Sequence, residues 1–550
     1  SIAKRDCMGQ CGFRYSYMTA LLFKLTGGVG LFLLGMVLLT DGLKAFAGDA
    51  LRRALVKFTG NPLKAFVSGC VVTLMVQSSS ATTVAVIGFV SAGLLTFPQA
   101  VGVVIGASLG TTGTGWIVAE LGLKVSVGFY ALPLVGAGAF MNLLGNGRWK
   151  ALGMALAGFG LIFVGIETLQ EGMNGLAGVF NFAGLPQGGF FSVLLMVLIG
   201  IAMTLIMQSS SAAVATTLTA LHTGGIHFEQ ATALVIGAAV GTTVTGVLAA
   251  IGGNVSAKRT ALAHVTFNAA TGLIALVMLP FFQAGIAWAQ MHIGMDPGAT
   301  SLAAFHTSFI ALGVLVFLPF VRRFAVAIER WLPDRGPSLT RHLDPTLVHL
   351  PEVALEASHR ALKEIGGECY RLLRARLEGR WGSRELRMSE SIRAALDSTQ
   401  GFIAGVPAVG VGTPMAKSRL DQLHAVDHLV RLTGSFQASS GVMEHLSDDR
   451  MKIPVSLCIG VLVAAGDSVK EAVVVDAEAI QKVEDGTREL SAVRRRERPL
   501  VLEEAAEGKW DSKTALEVLD AMRWLDTIGY HVWRISNHLA GTPSSVETAF

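Results

Sequence analysis

One polar tetrapeptide, Gln-Ser-Ser-Ser, occurs twice in this chain, each time directly after an apolar run. The copies are Gln77–Ser80 and Gln208–Ser211, and they lie 131 residues apart. Four adjacent polar side chains at membrane depth are costly unless they bind one another or a ligand. Each copy must therefore lie where other parts of the protein, or a bound ligand, satisfy its polar groups.

A second phrase repeats at the same offset. Gly106–Thr114 reads Gly-Ala-Ser-Leu-Gly-Thr-Thr-Gly-Thr, and Gly237–Thr245 reads Gly-Ala-Ala-Val-Gly-Thr-Thr-Val-Thr. Upstream, Gly30–Gly35 matches Gly160–Gly165 at an offset of 130 residues. The chain therefore contains two copies of one unit, a pattern typical of transporters whose two halves build one site. The predicted copies, transmembrane repeats 1 and 2, are residues 25–145 and 152–280.

Composition divides the chain into two regions. Up to about residue 320 it is apolar and rich in Gly, Ala and Thr, which suits close helix packing in lipid. From Arg335 it is charged and patterned like amphipathic helices, which predicts a soluble helical domain over 340–550. The polar residues 1–24 are interpreted as an N-terminal leader.

Charge and cysteine usage exclude some classes of partner. A net charge of +4, without a basic stripe interleaved with aromatic residues, does not predict a nucleic-acid partner. The five cysteines form no metal-ligand spacing, so no transition-metal site is predicted. No nucleotide-binding loop or hydrolytic constellation is apparent, so no catalytic residue and no enzyme are predicted.

The apolar segments define candidate membrane crossings of about 20 residues. They lie near 25–42, 99–118, 125–144, 152–170, 230–250, 260–280 and 300–320, the last being an extra transmembrane helix. The two tetrapeptide regions, 64–97 and 189–224, are too long for one crossing and have a polar break near the middle. Each arm of about 12–18 residues reaches the middle of the bilayer and can turn back. We therefore predict two re-entrant helical hairpins.

Loop charges predict that the second repeat is inverted. With hairpins that return to the same side, each repeat has three true crossings, and an odd number inverts the next copy. The loop 44–64, rich in Lys and Arg, then faces the cytoplasm, and the loop 172–189, which has neither, faces outside. The predicted fold class is an all-α polytopic membrane protein with two inverted-topology repeats and a soluble cytoplasmic helical-bundle domain.

The tetrapeptides have the chemistry of an ion-binding site. A half-helix that begins at the serines presents free N–H groups and the positive end of its dipole, which suits a tetrahedral oxyanion. Carbonyl groups near Gln77 and Gln208, together with Thr hydroxyls, suit a small hard cation such as sodium. No Lys or Arg lies beside them, so co-bound cations must balance an anion. The alternative is that these hydroxyls only bond to their own helices or join neighbouring helices.

These motifs resemble the sodium-dependent phosphate cotransporter family, the type II Na/Pi cotransporters and their bacterial relatives. Paired Gln-Ser-Ser-Ser hairpins, the Gly-Thr-Thr phrases and the segment Lys258–Asn268 carry the resemblance, which covers about 25–320. It implies a multi-pass symporter of inorganic phosphate and sodium in a bacterial inner membrane. This chain has Ala107-Ser108 and Ala238-Ala239 where family members often have Ala/Ser-Asn.

The resemblance also implies site residues. The phosphate contacts that it implies are Gln77, Ser78, Ser79, Ser80, Gln208, Ser209, Ser210 and Ser211. It implies sodium contacts at Gln208, Thr242 and Thr245. Asn268 is added as a plausible polar residue of the phosphate site. The equivalent or adjacent oxygen donors complete the predicted sodium set: Gln77, Thr111, Thr112, Thr114 and Thr243.

The C-terminal region resembles the PhoU-like helical domain that follows the membrane part in many bacterial members. Asp421–Leu432 and Trp524–Leu539 carry this resemblance, which implies a regulatory or assembly module. The expected partners are a second copy of the chain or a phosphate-regulatory protein. The acidic metal motif of such domains is absent, since Val430 and Gly434 stand in its place. The run Arg494–Arg496 is interpreted as a solvated face.

Two rival functions remain open at this point. The first is transport of another tetrahedral oxyanion, or export instead of uptake. The second is a membrane-anchored phosphate sensor, which binds the anion without moving it across the bilayer.

Overall fold

The computed structural model describes residues 2–57, 59–124, 128–177, 189–334, 338–407, 410, 412–470 and 477–540. Across these ranges the chain is helical and contains no β-strand. It separates into two compact units. The first unit extends to Pro333 except for Ser91–Gly93 and Gly252–Val255, and the second comprises those two segments and the chain from Asp334 onward.

Fourteen α-helices precede residue 332 among the described residues. They are α1 (Ile2–Lys57), α2 (Pro62–Val76), α3 (Ser79–Ser91), α4 (Phe97–Trp116), α5 (Gly128–Leu144), α6 (Arg148–Ala177), α7 (Phe190–Met207), α8 (Ser210–His222), α9 (Phe228–Gly241), α10 (Thr243–Ala250), α11 (Val255–Val277), α12 (Leu279–His292), α13 (Ala299–Phe317) and α14 (Val321–Trp331). A π-helix, Ile117–Lys124, continues α4. In the repeat, α1 to α4 correspond to α6 to α9.

Eight helices of the described chain are long and apolar enough to cross a bilayer by length and composition. They are Met18–Ala47, Phe97–Leu123, Arg148–Gly175, Phe190–Met207, Phe228–Ala250, Val255–Val277, Ala299–Trp331 and Asp449–Val469. The chain is therefore a multi-pass helical membrane protein.

Several of these helices differ from the segments predicted from sequence. The interval interpreted as a leader, 1–24, is continuous from Ile2 with the helix of the first span, α1. The predicted span 230–250 is two helices that meet at Thr242. The hairpin arm α7 is itself long enough to qualify as a span. Length alone therefore does not distinguish a returning arm from a crossing.

Helices α1 and α6, the first helices of the two repeats, pack against each other through glycines. A Cβ added at Gly28 would lie 3.0 Å from the carbonyl oxygen of Gly165, and one at Gly35 would lie 2.8 Å from that of Gly158. Later residues of α1 contact earlier residues of α6, so the two helices are antiparallel. Gly28 and Gly35 correspond to Gly158 and Gly165 in the repeat, so each contact is the counterpart of the other.

We expect Gly35→Ala to destabilise the first unit by about 1–3 kcal/mol, because the added methyl group forces two closely packed backbones apart. Gly30→Ala on the same helix is the matched control, since no atom lies within 4 Å of a Cβ there. Thermal unfolding of the purified protein in detergent measures both. Equal midpoints for the two variants would contradict the glycine contact.

The chain folds back between α2 and α4. Gly102 packs beside Pro62 and Gly110 beside Cys70, so α2 and α4 are parallel and begin close together. If α3 continued in the direction of α2, its end would lie roughly 45 Å from Pro62. The connection from Ser91 to Phe97 spans only about 20 Å at full extension. Helix α3 must therefore run back toward the start of α2.

The second repeat has the same arrangement. Gly237 packs beside Val197, and Gly241 packs beside Thr204, so α7 and α9 are also parallel. The connection between α8 and α9 is equally short. In both repeats the tetrapeptide consequently lies at the far end of a helix pair.

The second unit is a bundle of helices around one apolar core. Its α-helices are α15 (Pro351–Leu377), α16 (Ser383–Gly405), α17 (Pro414–Gly434), α18 (Ser440–His445), α19 (Lys452–Lys470), α20 (Ala477–Ala506) and α21 (Ser512–Ala540). Helix α19 overlaps the eighth apolar segment, but Cys458, Val461, Leu462 and Ala465 are buried in this core. Its apolar side therefore packs against protein.

The two stretches with PhoU-like resemblance meet where α17 packs against α21. The Nδ1 atoms of His428 and His531 lie 3.0 Å apart, and the Nε atom of Arg534 lies 3.3 Å from Nε2 of His428. Burial, with His531 and Arg534 nearby, lowers the pKa of His428 to about 4. This histidine is therefore neutral near pH 7.

Candidate functional site

Both tetrapeptides lie at breaks between two helices. The first lies between α2 and α3 and the second between α7 and α8. Gln77 has a φ of 56° and Gln208 a φ of 51°. Among the residues that the structure describes, these two are the only non-glycine residues with a positive φ. That conformation is disfavoured for residues other than glycine and concentrates at functional positions.

The helix that follows each break is capped by a serine of the tetrapeptide. The Oγ atom of Ser78 accepts a hydrogen bond from the N–H of Ala81 at 3.2 Å, and Oγ of Ser209 accepts one from Ala212 at 3.2 Å. The first N–H groups of a helix have no acceptor within the helix. The caps thus leave N–H groups that a ligand can use, those of Ser79, Ser80, Ser210 and Ser211.

Each glutamine folds its amide back onto the preceding helix. Nε2 of Gln77 donates to the carbonyl oxygen of Leu74, and Nε2 of Gln208 donates to that of Leu205 at 2.7 Å. These bonds satisfy carbonyl groups at the helix end and leave Oε1 free to accept. Oε1 of Gln77 accepts from Oγ1 of Thr114 at 2.9 Å. Gln208 is exposed, so the two copies are not equivalent here.

The two repeats contact each other through the same two motif positions. Oγ of Ser80 lies 3.2 Å from Oγ1 of Thr245, and Oγ of Ser211 lies 3.3 Å from Oγ1 of Thr114. Ser80 corresponds to Ser211, and Thr114 corresponds to Thr245, so each contact is the counterpart of the other. Reciprocal contacts of this kind arise when a two-fold axis relates two halves.

The threonines of the Gly-Thr-Thr phrases divide into two groups. Thr242 joins the cluster, because Oγ of Ser210 lies 3.4 Å from its Oγ1, and its carbonyl oxygen accepts from Thr245 at 2.8 Å. The hydroxyls of Thr111, Thr112 and Thr243 donate to carbonyl oxygens of the preceding turn. Since these hydrogen bonds occupy the hydroxyl protons, only the oxygen lone pairs of these threonines can bind a cation.

Asn268 lies beside the Gly-Thr-Thr phrase of the first repeat. Its Nδ2 atom donates to the carbonyl oxygen of His264 at 3.0 Å and lies 3.5 Å from Oγ of Ser108. The residue is buried on α11. Within the described chain, its hydrogen bonds join α11 to α4 and do not include either tetrapeptide.

Glu120 is not among the site residues predicted from the sequence. It lies in the π-helix after α4, and Oγ1 of Thr300 donates to its Oε1 atom at 2.6 Å. A sequence signal existed, because Glu120 is the only carboxylate between residues 65 and 145.

The electrostatics of the cluster come from dipoles instead of charged side chains. No Lys or Arg occurs in 65–119 or in 190–250. Among the described residues, no group of three or more His, Cys, Asp and Glu side chains is placed to hold a metal ion. Hydroxyl groups, amide groups and helix ends are thus the local means of binding an ion.

Comparison with known proteins places these motifs in a family context. The family model described as Na+/Pi-cotransporter matches residues 31–171 and 191–318, which include both tetrapeptides and both Gly-Thr-Thr phrases. The uncharacterised protein YqeW of Bacillus subtilis (strain 168) is 35% identical over 315 residues, which cover 57% of this chain and 99% of YqeW. No solved structure matches the chain.

Two further relatives carry functional names. YjbB of Escherichia coli (strain K12), whose name refers to inorganic phosphate export, is 27% identical over 78% of both chains. The human protein named sodium-dependent phosphate transport protein 2B is 48% identical over 59 residues, which cover 11% of this chain and 9% of the human protein.

Proposed function

The chain belongs to the Na+/Pi-cotransporter family, and from this premise we propose that it is a sodium-coupled symporter of inorganic phosphate in a bacterial inner membrane. Phosphate binds near the middle of the bilayer, between the two tetrapeptides. The observation that carries this proposal is the reciprocal pair of contacts between Ser80 and Thr245 and between Ser211 and Thr114. These contacts bring both copies of the motif to one place.

The anion is held by groups from both repeats. Helices α3 and α8 direct their N-terminal N–H groups and the positive ends of their dipoles toward the cluster. Serine hydroxyls add donors that can rotate to meet the oxygens of a tetrahedral anion. Together these groups make an anion site of the helix N-terminus type, formed twice.

Sodium supplies the positive charge that the protein lacks. The cluster contains hard oxygen atoms of the kind that bind sodium. They are Oε1 of Gln77, the hydroxyl oxygens of Thr114 and Thr245, and the hydroxyl and carbonyl oxygens of Thr242. Gln208 adds an exposed amide oxygen. A doubly charged anion in a site without Lys or Arg gains most from a cation bound beside it, which couples the two ions thermodynamically.

Inverted topology is supported by two features of the fold. The first helices of the repeats, α1 and α6, are antiparallel, as equivalent helices of inverted repeats are when they pack together. The fold-back of α2 and α3 supports a hairpin that enters the bilayer and returns to the same side. With the positively charged loops inside, the chain from Asp334 onward is cytoplasmic, where we propose a regulatory or assembly role.

Cysteine labelling tests this topology. With the native cysteines replaced, a cysteine at Gly60, before α2, is expected to react with an impermeant maleimide only from the cytoplasmic side. A cysteine at Phe190, which is exposed at the start of the equivalent helix α7, is expected to react only from the outside. Inside-out and right-side-out vesicles separate the two cases. Labelling of both positions from the same side would contradict the inverted arrangement.

Export is the second candidate function. It is favoured by the relative YjbB, which aligns with 78% of this chain and whose name refers to phosphate export. The same site serves both directions, because a coupled carrier follows the sum of its ion gradients. Vesicles with sodium gradients of opposite sign distinguish coupled uptake from coupled efflux.

A further inference from the structure

The second unit contains a cavity of about 570 Å³ whose polar lining consists of arginines. It lies between α20 and α21. The four arginines are Arg494, Arg495, Arg498 and Arg523, and the other lining residues are Pro499, Leu502 and Leu519. The sequence interpretation of Arg494–Arg496 as a solvated face is thus incomplete, since two of these three residues line the cavity.

The positive charge of the cavity is only partly balanced. Nε of Arg494 lies 3.0 Å from Oδ2 of Asp526, a largely buried carboxylate that also accepts from Ser491. Arg523 lies 3.4 Å from Asp520, but both side chains are exposed, so this pair contributes little. Within the described chain, Arg495 and Arg498 are both exposed and have no ion pair.

No acidic residue lines the cavity, although acidic residues are common elsewhere on α20. Guanidinium groups that converge on one space repel one another unless an anion occupies it. Their planar forks match phosphate oxygens in pairs. The volume of the cavity is in the range of small-molecule sites. It is much larger than the volume of one phosphate ion. Leu502, Leu519 and Pro499 offer an apolar wall to a larger ligand.

We propose that this cavity binds an organic anion that carries two or more neighbouring phosphate groups. Its phosphates contact the arginines, and its less polar part lies against Leu502, Leu519 and Pro499. A nucleoside di- or triphosphate and the headgroup of a phospholipid with two phosphates share this chemistry. The site is separate from the tetrapeptide cluster and does not depend on the transport proposal.

The test uses the full-length protein in nanodiscs of neutral phosphatidylcholine. ATP and inorganic tripolyphosphate are the soluble probes, and their binding is measured by calorimetry. The lipid probe is cardiolipin, whose enrichment around the protein is measured in mixed nanodiscs. The cavity variant is Arg495→Glu/Arg498→Glu. The matched control is Arg384→Glu/Arg387→Glu, which reverses two exposed arginines with the same spacing on α16.

We expect the cavity variant to weaken binding of a soluble probe or enrichment of cardiolipin by about tenfold or more, because two charge-assisted contacts are lost. The control variant keeps the affinity of the unmodified protein. Loss confined to ATP and tripolyphosphate identifies a soluble ligand, and loss confined to cardiolipin identifies a lipid. If the Arg495→Glu/Arg498→Glu variant does not fold, Arg495→Gln/Arg498→Gln is used in its place. Equal binding by cavity and control variants for all three probes would overturn the proposal.

Discussion

Ser79→Ala and Ser210→Ala are each expected to weaken phosphate binding by a factor of about 10 to 100. Each substitution removes one hydroxyl group but keeps the backbone N–H groups and the helix dipole. A hydrogen bond to a charged group contributes about 1.5–3 kcal/mol, and each 1.4 kcal/mol changes affinity tenfold. Equilibrium binding of radiolabelled phosphate to the purified protein, at saturating sodium, measures the effect.

Ser308→Ala is the matched control for these variants. Its hydroxyl group lies on α13 and donates to the carbonyl oxygen of Ala304 at 2.7 Å, so its removal leaves the phosphate affinity unchanged. The two site variants are expected to have effects of similar size, because equivalent positions of two repeats contribute to one site. Normal phosphate affinity in both would mean that the repeated serines only join helices.

Thr242→Val is expected to raise the sodium concentration for half-maximal transport by roughly tenfold. Valine has nearly the same shape as threonine but lacks the hydroxyl oxygen that binds the cation. The carbonyl oxygen of Thr242 remains, so sodium binding is weakened and not abolished. Sodium titration of phosphate uptake at saturating phosphate gives this value.

Thr168→Val on α6 is the control, because its hydroxyl only bonds to the carbonyl oxygen of Val164 at 2.8 Å. An unchanged sodium dependence in Thr242→Val, with a lower phosphate affinity, would instead assign this hydroxyl to the anion.

Local features of the site were predictable because they depend on short stretches of sequence. The helix breaks at Gln77 and Gln208 follow from polar residues inside apolar runs, and serine caps are expected where such helices restart. The repeat is visible in the sequence as matching phrases 130 or 131 residues apart. These signals are enough to predict the two helix breaks and to identify the neighbouring hydroxyl groups as candidate ligands.

Contacts between distant segments were not predictable in the same way. The pairing of Ser80 with Thr245, and not with another threonine of the phrase, depends on how α3 and α10 approach each other. Four of the predicted threonines, Thr111, Thr112, Thr243 and Thr245, donate to carbonyl oxygens three or four residues before them, which residue type alone cannot indicate. The prediction of Asn268 rests on its polarity, whereas its hydrogen-bond partners in the described chain lie on α4 and α11.

Apolar length also gave an incomplete picture. Helix α19 has the composition of a membrane span, yet four of its residues lie in the core of the second unit. A buried helix and a membrane helix present similar sequences, because both are surrounded by apolar groups. Likewise, a run of arginines has the same composition on a solvated face and around a cavity, and only the neighbouring helix α21 distinguishes them.

The most direct test of the central claim is phosphate flux in proteoliposomes that contain the purified full-length chain. Radiolabelled phosphate inside the vesicles is followed with an inward sodium gradient, with equal sodium on both sides, and with potassium replacing sodium. We predict accumulation of phosphate above its outside concentration only with the inward sodium gradient. Binding of phosphate without flux, or uptake that is the same in all three conditions, would contradict a sodium-coupled symporter.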